Sequence, residues 1–176
     1  MQRTLTALWM GLLLSLSFAS TALAQDWTLT GTGTRVKTVA FVDVDVYQAQ
    51  HFVKGGGLTK SKAAIVEAEV DKRVVLTMLR DVDAEKFQGA FKDGFALNGY
   101  SDAAKIGKFI GVFKAEILEK QKVTIVYDAA KKTTTITAPG GSATVEGVEF
   151  MKAVWRLWFG KIDQPKLCDQ LIQKLP

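Results

Sequence analysis

The stretch DVDAEKFQGAFKDGFALNGY sets Phe87, Phe91 and Phe95 four residues apart. On a helix that spacing puts three rings on one face, and such a face has to be buried. What lies before it suggests the partner. Residues 26–50 and 73–79 are rich in β-branched residues and alternate apolar with polar, the pattern of half-buried strands. A ring-bearing helix behind a set of strands predicts a sheet with helices laid on it. Cys168 is the only cysteine, so no internal disulfide can staple the chain and the packed core must hold it together.

The remaining segments extend this pattern. DWTLTGTGTR and VAFVDVDVYQAQ read as strands, and HFVKGGGLTK as a glycine-rich turn. AAIVEAEV and RVVLTML read as two more strands joined by a two-residue loop at Asp71-Lys72. Asp83 is placed to cap the phenylalanine helix. A second helix opens at Ser101-Asp102 and carries Ile106, Phe109, Ile110, Phe113 and Ile117 at helical spacing. KVTIVYDAAKKTTTITAPG reads as a hairpin around Asp128 to Lys132, and GSATVEG as a short further strand. Two helices end the chain: VEFMKAVWRLWFG, with Phe150, Val154, Leu157 and Trp158 on one side and a stop at Gly160, then QPKLCDQLIQKL, with Pro165 in its first turn. The class is α+β: a large, mainly antiparallel sheet with a helical layer on one face, in one domain spanning residues 25–176.

Residues 1–24 do not belong to that domain. Arg3, an apolar run from Leu5 to Phe18, and then Ala22-Leu23-Ala24 have the form of a secretory signal peptide cut after Ala24. The apolar run is short for a membrane span of ~20 residues. The expectation is a periplasmic or secreted protein with no stable membrane span in its mature chain. Loss of Arg3 lowers the formal charge from +5 by one. No Lys/Arg run is long enough for a nucleic-acid patch, so nucleic acid is not an expected partner.

Few residues offer chemistry. A single histidine, His51, and a single cysteine close off most zinc chemistry, which wants several His or Cys ligands, and His51 reads as a surface or strand-end residue rather than part of a triad. Asp43 and Asp45 share one strand face with carboxylates ~6–7 Å apart. However, Val42, Val44 and Val46 on the other face mark an ordinary half-solvated strand, and no third carboxylate completes a metal shell. No metal and no cofactor are expected. Gly31-x-Gly33 lacks the third glycine and the following helix of a dinucleotide site. Arg80 and Asp81 read as a structural pair, and Trp155 and Trp158 as parts of a packed terminal helix. Arg35, on residues alone, is an exposed strand-end arginine. Tyr47 and Tyr127 are strand aromatics, either of which can lend a hydroxyl to a ligand near Arg35.

Three stretches, GTGTRVKTVAFVDVDVY, VLTMLRDVDAEKFQGAFKDGF and VEGVEFMKAVWRLWFG, resemble the chalcone-isomerase-like family, and the whole mature chain follows its order of elements. Leu-Arg-Asp-x-x-Ala-Glu-Lys-Phe is the most specific part, and the chain looks most like the secreted bacterial branch. The resemblance implies an open-faced β-sandwich with a ligand cleft between sheet and helices. In the plant enzymes that cleft closes a hydroxychalcone to a flavanone. In non-catalytic members an arginine meets the carboxylate of a fatty acid. Arg35 falls at the family's cleft arginine. The enzymes' helix tyrosine and asparagine fall at Phe87 and Gly94, and their strand threonine near Val42 or Asp43. With those hydroxyl and amide groups missing, no catalytic residue is assigned. The resemblance implies instead a small amphipathic ligand, with its head on Arg35 and its tail among helix phenylalanines such as Phe87 and Phe91; Tyr47, from its residue type, joins the expected ligand-binding set. Two other readings stay open: an intramolecular lyase acting on an enone, and an envelope interaction module with no small-molecule ligand.

Overall fold

The computed structural model describes residues 26–176; the leader segment expected at residues 1–24 lies outside the described residues. Six strands form one antiparallel sheet in sequential order: β1 (Trp27–Val39), β2 (Val42–Lys54), β3 (Lys72–Met78), β4 (Lys122–Asp128), β5 (Thr133–Ala138) and β6 (Gly141–Glu146). Among the described residues five helices accompany the sheet: α1 (Lys62–Glu67), α2 (Ala84–Leu97), α3 (Ala103–Ile110), α4 (Val148–Phe159) and α5 (Pro165–Leu171). This is the expected α+β arrangement, an open antiparallel sheet with helices packed against it. No helix among the described residues is long and apolar enough to cross a membrane.

The core forms where alternation along the strands meets the apolar helix faces. Ala49, Val74, Leu76, Met78, Ile125 and Ile136 are buried from the sheet side; Phe87, Phe91, Phe95, Phe109, Phe150 and Trp155 answer from the helices. Asp83 accepts from the backbone N–H groups of Glu85 and Lys86 and so opens α2. Gly94 has a packing reason. A Cβ there would stand 2.8 Å from Leu157 Cδ2, so its absence lets α4 close against α2.

Gly31 and Gly33 serve the same purpose for α5. A Cβ on Gly31 would lie 2.1 Å from the backbone oxygen of Gln170, and one on Gly33 2.7 Å from Leu167 Cδ1. The Gly-x-Gly step is a slot in which the last helix lies directly on the first strand.

Several expectations change. AAIVEAEV is not a strand: Ser61 caps α1 by accepting from Ala64 N–H. Lys72, read as a loop residue, begins β3, and its buried ammonium donates to the carbonyls of Ile65 (2.7 Å) and Val66 (3.2 Å). Burial of Ile65 and Val66 together with this bonding outweighs their β-branched preference. The first two strands are longer than their sequence suggests and turn at Ala40-Phe41, both in the left-handed region at φ 48° and 71°. Neither is the Asn or Gly that such a turn favours, so the turn left no mark in the sequence. α3 ends at Ile110, with Gly111 at its C-cap. Phe113 and Ile117 reach the core from the following loop, where Ile117 bridges to Val82. Asp81 accepts from Glu119 N–H (2.7 Å) instead of pairing with Arg80.

Ahead of Val46, whose carbonyl accepts from Leu79 N–H (3.0 Å), β2 has no β3 partner and keeps only β1. Residues 36–45 therefore form a two-stranded arm whose tip residue, Phe41, is fully exposed.

Candidate functional site

Arg35 and Tyr47 are direct partners in the β1–β2 register, so their side chains share a sheet face. A register shift follows between Arg35 and Val36, and the α4–α5 loop fills the edge of β1 there. Gln164 accepts from Val36 N–H (2.9 Å) and donates to Thr34 O (2.9 Å) through its side-chain amide. Its Oε1 also accepts from Arg35 Nη1 at 3.3 Å. Arg35 forks onto Asp163, with Nη1 2.6 Å from Oδ1 and Nη2 2.9 Å from Oδ2. Lys37 Nζ stands 3.7 Å from the same carboxylate. The hydrogen bonds and charge of Arg35, with Lys37 behind them, hold Asp163 below the usual carboxylate range.

Tyr47 stands where this ionic group meets the core. Its hydroxyl accepts from Trp158 Nε1 at 3.3 Å, and burial raises its pKa, so it stays a protonated phenol. Phe87 packs edge-on against the Tyr47 ring, centroids 6.4 Å apart, and Phe91 and Phe113 follow at 5.3 and 4.9 Å from Phe87. Trp158 closes the group against Phe91. The four residues expected to form a ligand site, Arg35, Tyr47, Phe87 and Phe91, thus lie in one cluster. Phe87 and Phe91 are closely packed, only 4% and 6% exposed. On the far side of Phe113 a surface cleft of about 310 Å³ opens between Val112, Ile117, Leu118 and Ala138.

Trp158, Asp163 and Gln164 were not legible as site members. Trp158 read as packing alone, Gln164 as the residue opening the Pro165 helix, and Asp163 drew no reading at all. Tyr127 is distant from this group: its ring faces Trp155, and it pairs with Lys72 across β3 and β4.

His51 is a correction. It is fully buried, not a surface residue. Its Nε2 accepts from Trp155 Nε1 (3.1 Å), which leaves the proton on Nδ1 to donate to Thr30 Oγ1 (2.6 Å). Thr30 in turn donates to Leu171 O at 2.7 Å. Burial, and the nearby charge of Lys72, lower its pKa to about 3. With both nitrogens engaged inside the core, this histidine ties α4, β2, β1 and α5 together and has no access to a substrate. Asp43 accepts from Thr38 Oγ1 (2.7 Å) on the exposed arm, and Asp45 is also exposed. No group of His, Cys, Asp or Glu among the described residues could hold a metal ion.

The family profile described as chalcone isomerase-like matches residues 15–171. Among solved structures, a fatty-acid binding protein of Arabidopsis thaliana superposes with a TM-score of 0.65 at 17% identity, covering 84% of this chain and 88% of its own. A search of curated proteins returned no match.

Proposed function

Because the chain belongs to the chalcone isomerase-like family, we propose that it is an exported, non-catalytic binding protein for a fatty acid or a similar amphipathic carboxylate. The observation that carries this reading is the convergence of Arg35 and the Tyr47 hydroxyl at the edge of a closed aromatic cluster. A guanidinium fork and a phenol proton suit a carboxylate, and the rings of Phe87 and Phe91 suit an alkyl chain. The tail would follow the rings from Phe87 to Phe113 toward the cleft at Ile117 and Leu118. The fatty-acid binding protein with the same fold supports the ligand class, and the leader-like residues 1–24 support export.

Phe87 bears no hydroxyl where the enzymes of the family carry a tyrosine, and this weighs against cyclisation chemistry. Native mass spectrometry of the purified protein tests the reading directly. Co-purified fatty acid, lost in Arg35→Ala, is the expected result. An apo protein that also shows no saturable uptake of dodecanoate excludes the reading. Turnover of a hydroxychalcone above its spontaneous rate, abolished by Arg35→Ala, would assign the enzyme reading instead.

A further inference from the structure

Resting on that head-group reading, we propose that Asp163 is a built-in competitor for the ligand's carboxylate and so decides which head groups the site accepts. Its two oxygens sit on the two terminal nitrogens of Arg35 at 2.6 and 2.9 Å, the bidentate geometry an incoming carboxylate would adopt. The ligand's anionic group and Asp163 therefore contend for one fork.

The two partners are unequally placed. The Arg35 side chain is 15% exposed and that of Asp163 59%. Asp163 regains water easily when it turns away, whereas Arg35 is left as a largely buried cation without its counter-charge. Arg35 therefore releases Asp163 only to another anion. A neutral alcohol head group cannot make that exchange; a carboxylate can.

The surroundings allow the swing without opening the loop. Asn98 fixes one end, accepting from Lys161 N–H (2.8 Å) and donating to Lys161 O (3.0 Å). Gln164 fixes the other end on Thr34 and Val36. Asp163 lies between these clamps, with Lys37 already 3.7 Å away to take over as its partner. Arg35, Lys37 and Asp163 together carry one net positive charge, which an incoming carboxylate neutralises. Ligand affinity is reduced by the fraction of time that Asp163 holds the fork.

Calorimetric titration of dodecanoate and of dodecanol into the wild type, Asp163→Asn and Arg35→Ala tests this. Asp163→Asn is nearly isosteric and solvent-facing, and a thermal melt confirms that it is folded. The expected result is dodecanoate binding about tenfold tighter in Asp163→Asn, unchanged dodecanol binding, and loss of dodecanoate binding in Arg35→Ala. If Asp163→Asn binds dodecanoate no more tightly than the wild type, or tightens dodecanol equally, the competitor role is overturned while the head-group reading stands. If none of the three proteins binds dodecanoate saturably, the head-group reading itself fails and takes this proposal with it.

Discussion

Trp158 donates its indole N–H to the hydroxyl of Tyr47 across 3.3 Å, from a helix 111 residues further along the chain. That bond occupies an acceptor position on the phenol and leaves its proton as the group's remaining donor. Tyr47 is thereby prepared to give a hydrogen bond beside Arg35, and burial keeps it protonated.

Tyr47→Phe separates the two parts of this arrangement. Loss of the hydroxyl should weaken dodecanoate binding by roughly fivefold to tenfold and lower stability by about 1–2 kcal/mol, because Trp158 Nε1 is left unpaired in the core. Titration calorimetry and urea unfolding read the two effects independently. A stability loss with unchanged affinity would mean that Tyr47 packs but does not touch the head group.

Gly31→Ala and Gly33→Ala should differ. At Gly31 the new methyl meets helix backbone, which cannot yield without moving α5; at Gly33 the two nearest atoms belong to the side chains of Gln170 and Leu167. Overpacking of this kind costs ~1–3 kcal/mol, with Gly31→Ala at or above the top of that range and Gly33→Ala near its bottom. Chemical denaturation of both variants checks the order.

His51 gives the fold an acid sensitivity. Its folded pKa of about 3 lies below the ordinary 6.5, so the unfolded chain binds the extra proton more readily between those values. Its contribution to stability is complete above pH 6.5 and is lost as the pH falls toward 3, with a slope of up to about 1.4 kcal/mol per pH unit. Denaturation midpoints measured from pH 7 to pH 4 should fall more steeply for the wild type than for His51→Gln, which is less stable at neutral pH but cannot titrate.

Replacing Ala40-Phe41 with Asn-Gly should stabilise the protein. Both native residues sit at positive φ, a conformation costing roughly 1–2 kcal/mol for an L side chain. Phe41 is fully exposed, so its removal uncovers no core. A gain of about 1 kcal/mol in unfolding free energy is expected. A loss would show that the Phe41 side chain contributes contacts the exposed tip does not display.

The parts of the fold that could be read from sequence were those set by local periodicity. The phenylalanine helix, the β4–β5 hairpin, α4 and the Pro165 helix all follow from spacing and caps within a few residues. Where tertiary bonds decide, the reading failed: Lys72 draws Ile65 and Val66 into a helix turn, and His51 is sheltered by Thr30 and Trp155 from two other elements. The candidate site divides in the same way. Arg35, Tyr47, Phe87 and Phe91 were named from residue type and family resemblance, whereas Asp163 and Gln164 reach Arg35 across 128 and 129 residues with no periodic signal to connect them.

The docking of α5 on the glycine slot of β1 also makes the Arg35–Asp163 pair a marker of long-range closure. The two residues stand 128 positions apart, and bringing the ends of so long a loop together costs chain entropy that local contacts do not offset. Until α5 and the loop before it seat on β1, the strand edge at Arg35 is uncapped and its charge unpaired. The ion pair therefore forms with the closing of the whole domain and not with either element alone.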